Sequence, residues 1–320
     1  MARKVKLHLF LIGAGLLWLA DSSPLAQSAR FKAAVDQVVV YAAVYDGTGQ
    51  LVSTLTKEDF EVYENKIVQE ITYFGLDDVP STIGIVMDIS GSMRGKKQLV
   101  DQAAELFLEL THRSNELFLM GFNSEVGIDE DFTRDVEDIR DALSNQIVTG
   151  ATALYDAIYL AVEHAAEGSE PKKVVIVFTD GEDKDSYYEL EEVIEKVEES
   201  DVQVFLVAFL DQDLPDDGGF FGMFKSPRDK VTKAMASIAE ATGGKALFPQ
   251  KKKDIEQAFK MIAYELRNQY RLAYVSNVTK EEDDEGWRSV QVRLLNARKR
   301  GLRVRARKGY HSQPQGDTDH

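Results

Sequence analysis

The stretch that decides the fold is Ile83-Gly84-Ile85-Val86-Met87-Asp88-Ile89-Ser90-Gly91-Ser92. Its first five residues form a continuous apolar run, which predicts a buried parallel strand, and a helical pattern follows over residues 94–113. Residues 88–92 therefore form a loop at the carboxyl end of a strand, where open α/β sheets place their ligand sites. One carboxylate and two hydroxyls at alternating positions provide only oxygen ligands, which suit a small hard cation such as Mg²⁺.

Two later segments add polar groups in similar positions. Gly150-Ala151-Thr152 precedes a helical run, and a second buried strand over residues 174–178 ends in Thr179-Asp180-Gly181. With residues 88–92, these segments resemble the metal-ion-dependent adhesion site of von Willebrand factor A domains. The resemblance implies that one divalent ion, Mg²⁺ or else Mn²⁺ or Ca²⁺, is surrounded by Asp88, Ser90, Ser92, Thr152 and Asp180. It also implies that an acidic side chain of a protein partner coordinates the same ion.

The wider sequence pattern predicts two structural parts. Strands alternate with amphipathic helices over residues 82–269, which predicts a doubly wound, mainly parallel α/β sheet. The flanking segments have the period of two that is typical of strands, with strands expected at 38–45, 51–55, 60–63, 69–74, 270–276, 288–295 and 302–307. Since the ends of an inserted domain usually lie close together, both chain ends are expected to form one small β-sandwich around the insertion.

The domain boundaries follow from this pattern. Residues 36–80 and 270–310 are assigned to the sandwich, residues 81–269 to the α/β domain, and residues 311–320 to a disordered tail. The segments LTKEDFEVYENKIVQEITYF and GLRVRARKGY are also similar to those of a secreted bacterial subgroup of von Willebrand factor A proteins.

The N-terminus and the composition predict the location of the protein. Residues 1–28 read as a secretory signal, in which Arg3, Lys4 and Lys6 precede an apolar stretch too short for an ordinary membrane span. No second apolar run reaches membrane length, and the chain has no cysteine. We therefore expect a protein of the bacterial periplasm, cell envelope or exterior, without a transmembrane span in its mature form. The net charge of −16 argues against nucleic-acid binding.

Catalytic motifs are poorly matched, so we expect binding by coordination and no enzymatic turnover. A phosphatase of the haloacid-dehalogenase type needs a second Asp where Ser90 stands, and no G-x-S-x-G motif surrounds Ser90 or Ser92. Two alternatives stay open. One is a hydrolase of the cell envelope that activates water with the metal and uses Glu182 or Asp183 as the base, although these acids and Asp185 are expected to be solvated. The other is a structural envelope module with an incidental metal site.

For two further segments the sequence predicts two alternative roles each. Loop 210–228 carries Phe220, Phe221, Met223 and Phe224, which either bind a partner or pack on their own domain. Arg303, Arg305 and Arg307 alternate with apolar residues, which predicts either a solvated strand face or a basic face that contacts an anionic envelope polymer.

Overall fold

The computed structural model of the protein describes residues 37–312, except for residues 77, 182, 211–226 and 279–285. The predicted signal segment, Glu182, the four apolar residues of loop 210–228 and residues 313–320 lie outside this part of the chain. None of the helices within the described ranges combines the length and the apolar character needed to cross a membrane.

The order of elements places strands at both ends of the chain and alternating strands and helices in its middle. The strands are β1 (Gln37–Tyr45), β2 (Phe60–Glu64), β3 (Ile67–Gln69), β4 (Ile71–Gly75), β5 (Ser81–Asp88), β6 (Glu116–Phe122), β7 (Val126–Thr133), β8 (Lys172–Thr179), β9 (Val202–Ala208), β10 (Ala246–Leu247), β11 (Tyr270–Val275), β12 (Trp287–Leu294), β13 (Arg303–Arg305) and β14 (Gly309–His311). The helices are α1 (Lys97–Leu110), α2 (Val136–Asn145), α3 (Leu154–Ala166), α4 (Leu190–Glu199), α5 (Pro227–Ala241), α6 (Lys252–Arg267) and α7 (Ala297–Arg300). Short 3-10 helices span Lys57–Asp59 and Gly91–Gly95.

The central sheet has the strand order β10-β9-β8-β5-β6-β7. Its strands run parallel except for β7, which pairs antiparallel with β6. Helices α1, α2 and α6 contribute to the core on one face, and α3, α4 and α5 contribute to the core on the other. All eight residues of β5 are buried, because a parallel strand between two helical layers has no solvent-facing side. The predicted doubly wound α/β architecture is confirmed.

The chain ends form two antiparallel sheets that face each other. Their strand orders are β13-β1-β11-β4 and β14-β12-β2-β3, so each sheet mixes strands from before and after the α/β domain. Strand β1 pairs with β11 from Gln37↔Val275 to Ala42↔Tyr270. Apolar side chains of both sheets share one core, which includes Val40, Val62 and Leu272. The predicted sandwich with an inserted α/β domain is therefore confirmed as the fold class.

Several local expectations were wrong. Residues 51–55, expected as a strand, make only a bridge between Leu51 and Tyr45. The segment 69–74, expected as one strand, is divided between β3 and β4, which belong to different sheets. The chain crosses from one sheet to the other at Glu70. The period of two hides this crossing, because the alternation of buried and exposed residues continues unbroken through Gln69, Glu70 and Ile71. The expected helix 94–113 is divided into the 3-10 helix Gly91–Gly95 and α1, and β14 extends one residue into the expected tail.

The sandwich packs against the amino-terminal ends of the parallel strands. Arg307 forms an ion pair with Asp201, directly before β9, and its guanidinium also donates to the carbonyl of Ser200 at 3.3 Å. Gly243 adopts φ +75°, and a Cβ there would lie 2.5 Å from the Arg307 nitrogen, so only glycine fits. The side chain of Arg305 pairs with Glu265 near the end of α6. Arg305 and Arg307 thus hold the two parts of the fold together. For these two residues both expectations, a solvated strand face and a basic face that contacts an envelope polymer, are wrong.

Candidate metal centre

Asp88 is the last residue of β5 and is almost completely buried, with 1% of its surface exposed. Its Oδ1 accepts a hydrogen bond from the Ser90 N–H at 2.9 Å, and its Oδ2 accepts one from the Thr179 hydroxyl at 2.8 Å. Burial raises the pKa of Asp88 above its ordinary value, although these hydrogen bonds lower it. The negative charge of Asp180 raises the pKa of Asp88 further. A cation beside the two carboxylates would relieve this unfavourable electrostatic energy.

Ser90 and Ser92 lie in the tight turn that follows Asp88. Their hydroxyl oxygens are 3.1 Å apart. Ser90 is buried, whereas Ser92 is exposed, so the pair reaches from the interior to the surface. The N–H of Gly91 donates to the carbonyl of Gly150 at 3.0 Å. This bond fixes the first loop against the loop that carries Thr152.

Thr152 is buried and lies just before α3. Its carbonyl accepts hydrogen bonds from the N–H groups of Lys184 at 2.9 Å and Asp185 at 3.1 Å, in the loop after β8. In the same loop as Thr152, the N–H of Thr149 donates to the carbonyl of Ile89 at 2.8 Å. Backbone hydrogen bonds therefore join the three loops that the sequence assigns to the metal site.

Asp180 follows β8 and has 6% of its surface exposed. Within the part of the chain that the structure describes, its Oδ1 is buried and makes no hydrogen bond. A buried carboxylate oxygen without a partner is unfavourable, and a bound cation would satisfy it. Gly181 follows with φ +92°, where a Cβ would lie 2.6 Å from Leu210 Cδ2. The donor set of two carboxylates and three hydroxyls, with one carboxylate oxygen left without a partner, fits a hard divalent cation.

Asp183 has a role that the sequence pattern does not reveal. Its Oδ1 accepts hydrogen bonds from the N–H groups of Leu154 at 2.9 Å and Tyr155 at 3.2 Å and from the Ser186 hydroxyl at 2.5 Å. It therefore caps the N-terminus of α3 from another loop, and the expectation that it is simply solvated is wrong. A helix cap usually lies directly before the helix. Asp183 lies 29 residues from Leu154 in the sequence, so the sequence around α3 does not reveal it as the cap.

A family model and one solved structure agree with this architecture. A family model described as von Willebrand factor type A domain matches residues 82–262. The solved structure of a von Willebrand factor type A protein from Catenulispora acidiphila is 11% identical, covers 90% of this chain and 76% of its own, and has a TM-score of 0.50. An aerotolerance-related membrane protein from Bacteroides fragilis, with multiple mutations to serines, is 16% identical over 59% of this chain and 98% of its own, with a TM-score of 0.44.

A further similar structure is the vWF domain of the type V pili tip protein Mfa5 from Porphyromonas gingivalis. It is 11% identical, covers 58% of this chain and 94% of its own, and has a TM-score of 0.46. No curated protein sequence matches the chain. The family model covers more than half of the residues. The chain belongs to the von Willebrand factor type A (VWA) domain family.

Proposed function

We propose that this protein binds a divalent cation of the Mg²⁺ type and uses it to capture a protein partner through an acidic side chain. The ligands are the side chains of Asp88, Ser90, Ser92, Thr152 and Asp180. The observation that carries the proposal is the buried Oδ1 of Asp180, which makes no hydrogen bond within the described residues and lies close enough to Asp88 to raise its pKa. Membership of the VWA family supports the same assignment.

The chemistry of the proposed site is coordination. The ion, when bound, supplies positive charge and a coordination position that a carboxylate of the partner fills. The residues of this chain hold the ion in a fixed place, because Asp88 is oriented by Ser90 and Thr179 and the loops are joined through their backbones. Rigid ligands favour a partner that approaches in one orientation.

We propose binding without enzymatic turnover. Of the two acids considered as a general base for metal-assisted hydrolysis, Asp183 is engaged by two backbone N–H groups and a hydroxyl. Glu182 lies outside the described residues. The use of its Oδ1 as a helix cap supports a structural role for Asp183 over the role of a base. The proposed location is the bacterial periplasm, cell envelope or exterior, on the basis of the N-terminal apolar segment and the lack of cysteine.

Calorimetric titration with Mg²⁺ and Mn²⁺ tests the metal site. We expect one ion per chain. We expect Asp88→Asn and Asp180→Asn each to weaken the affinity for the ion by about tenfold or more, which corresponds to about 1.4 kcal/mol of binding free energy. Asp185→Asn is the matched control, because this exposed aspartate lies in the same loop. Wild-type affinity in both Asp88→Asn and Asp180→Asn would exclude the assigned ligands.

The capture of a partner needs a separate measurement. We expect proteins retained from a bacterial envelope extract to be released by chelator and to be lost with Asp180→Asn. If the retained proteins are neither released by chelator nor lost with Asp180→Asn, the alternative of a structural module with an incidental metal site would be favoured. Turnover of a test ester or peptide that depends on the metal would favour the hydrolase alternative.

A further inference from the structure

Tyr187 is highly exposed and yet held in a fixed position. Its side chain is 84% exposed. The backbone N–H of Tyr187 donates to both carboxylate oxygens of Asp156, at 2.9 and 3.0 Å, and the N–H of Tyr188 donates to Oδ1 at 2.9 Å. One carboxylate of α3 therefore orders the backbone of both tyrosines. A ring presented from an ordered backbone loses little conformational entropy when a partner binds.

Tyr187 belongs to a cluster of aromatic rings, here called the tyrosine surface and made of Tyr159, Tyr187 and Tyr188. Tyr188 stacks on Tyr159 with ring centroids 3.9 Å apart and an interplanar angle of 8°. The rings of Tyr187 and Tyr188 meet edge to face, with centroids 5.4 Å apart at 85°. Lys196 Nζ lies 4.7 Å from the centroid of the Tyr159 ring and pairs with Glu163 at 3.0 Å. The surface thus already holds one cation of the chain itself against an aromatic ring.

The charge around the tyrosine surface is strongly negative. Residues 183–199, which the structure describes, contain eight acidic residues and two lysines, within a chain of net charge −16. The pKa of Tyr188 is raised by burial and then by the neighbouring Tyr159, Glu163 and Asp156. Such a field attracts cations and repels acidic partners.

We propose that Tyr187 and the carboxylates around it form a docking surface for an arginine side chain of a protein partner. The planar guanidinium stacks on an aromatic face and is more weakly hydrated than an ammonium, so arginine fits this surface better than lysine. Tyr187 stands seven residues beyond Asp180 and none of the tyrosines is a candidate metal ligand. The inference therefore goes beyond the proposed metal-dependent capture and does not depend on it.

The probe is a blocked peptide of four Gly-Arg repeats, compared with the same peptide built from Gly-Lys repeats. Binding is measured by calorimetry in EDTA at physiological ionic strength, so the result is independent of any metal. We expect Tyr187→Ser to weaken binding of the arginine peptide by roughly two- to fivefold, the range of a cation–π contact at an exposed site. Tyr187→Phe keeps the ring and should bind like the wild type.

The matched control is Tyr264→Ser, because Tyr264 is a second exposed tyrosine, 56% exposed, on α6. We expect this variant to bind like the wild type and the lysine peptide to bind more weakly than the arginine peptide. Because Tyr187 is so exposed, its replacement should leave the fold unchanged, which circular dichroism verifies. Three results would each overturn the proposal: unchanged binding in Tyr187→Ser, an equal loss in Tyr264→Ser, or equal binding of the two peptides.

Discussion

The junction between the sandwich and the VWA domain contains a buried ion pair whose removal should be strongly destabilising. Arg305 of β13 pairs with Glu265 of α6, and Glu265 has 1% of its surface exposed. The guanidinium also donates to the Gly243 carbonyl at 3.1 Å and to the Tyr45 hydroxyl at 3.3 Å, and that hydroxyl donates to Glu265. Replacing Arg305 with Met would leave a buried carboxylate without its cation.

The expected loss follows from the burial of both partners. Removing one member of a buried ion pair typically costs about 3–5 kcal/mol, because the remaining charge stays desolvated. We therefore expect Arg305→Met and Glu265→Met each to lower the free energy of unfolding by about this amount. The double variant should lose clearly less than the sum, since a pair of apolar residues of similar length no longer leaves a charge unpaired.

Urea unfolding, followed by circular dichroism and by intrinsic fluorescence, measures these free energies and tests whether the two parts unfold together. The control is Arg300→Met, which removes the more exposed ion pair with Asp59. This variant should lose less than about 1 kcal/mol. A loss below about 1 kcal/mol in Arg305→Met, or additive losses in the double variant, would refute a role of the pair in joining the two parts.

The remaining predictions concern a buried lysine and the cap of α3. Burial lowers the pKa of Lys172 from 10.5 to about 7. Between these pH values the unfolded chain holds a proton on this lysine that the folded chain lacks. The free energy of unfolding therefore rises with pH over this range. Lys172→Met should therefore stabilise the protein most at or below pH 7, and this gain in the free energy of unfolding should shrink by up to about 1.4 kcal/mol per pH unit above pH 7. Urea unfolding at several pH values measures the gain. A gain that does not change with pH would contradict the lowered pKa of Lys172. Asp183→Ala should cost about 1–2 kcal/mol in thermal unfolding through loss of the cap, whereas the control Asp185→Ala should change little, and equal effects would argue against capping.

The sequence by itself determined the architecture of the VWA domain and the place of the candidate ligands. The middle of a parallel strand that is buried on both faces is apolar, so β5 and β8 contain the continuous apolar runs 83–87 and 174–178. Asp88 ends β5, and Asp180 directly follows β8. Since parallel strands place their carboxyl ends at one edge of the sheet, the order of elements was enough to bring these two acids together.

The tertiary structure alone decided which distant residues are partners. The pattern of polar and apolar residues predicts whether a residue is buried, but it does not predict which residues contact it. Asp183 as the cap of α3 and Arg305 as the partner of Glu265 each depend on a contact between segments far apart in sequence. The division of 69–74 between two sheets was hidden for the same reason, because the alternation of buried and exposed residues continues from β3 into β4 although the two strands pair with different neighbours. Local physics thus sets the elements and the polar loops, whereas long-range packing decides the partner of each charged side chain.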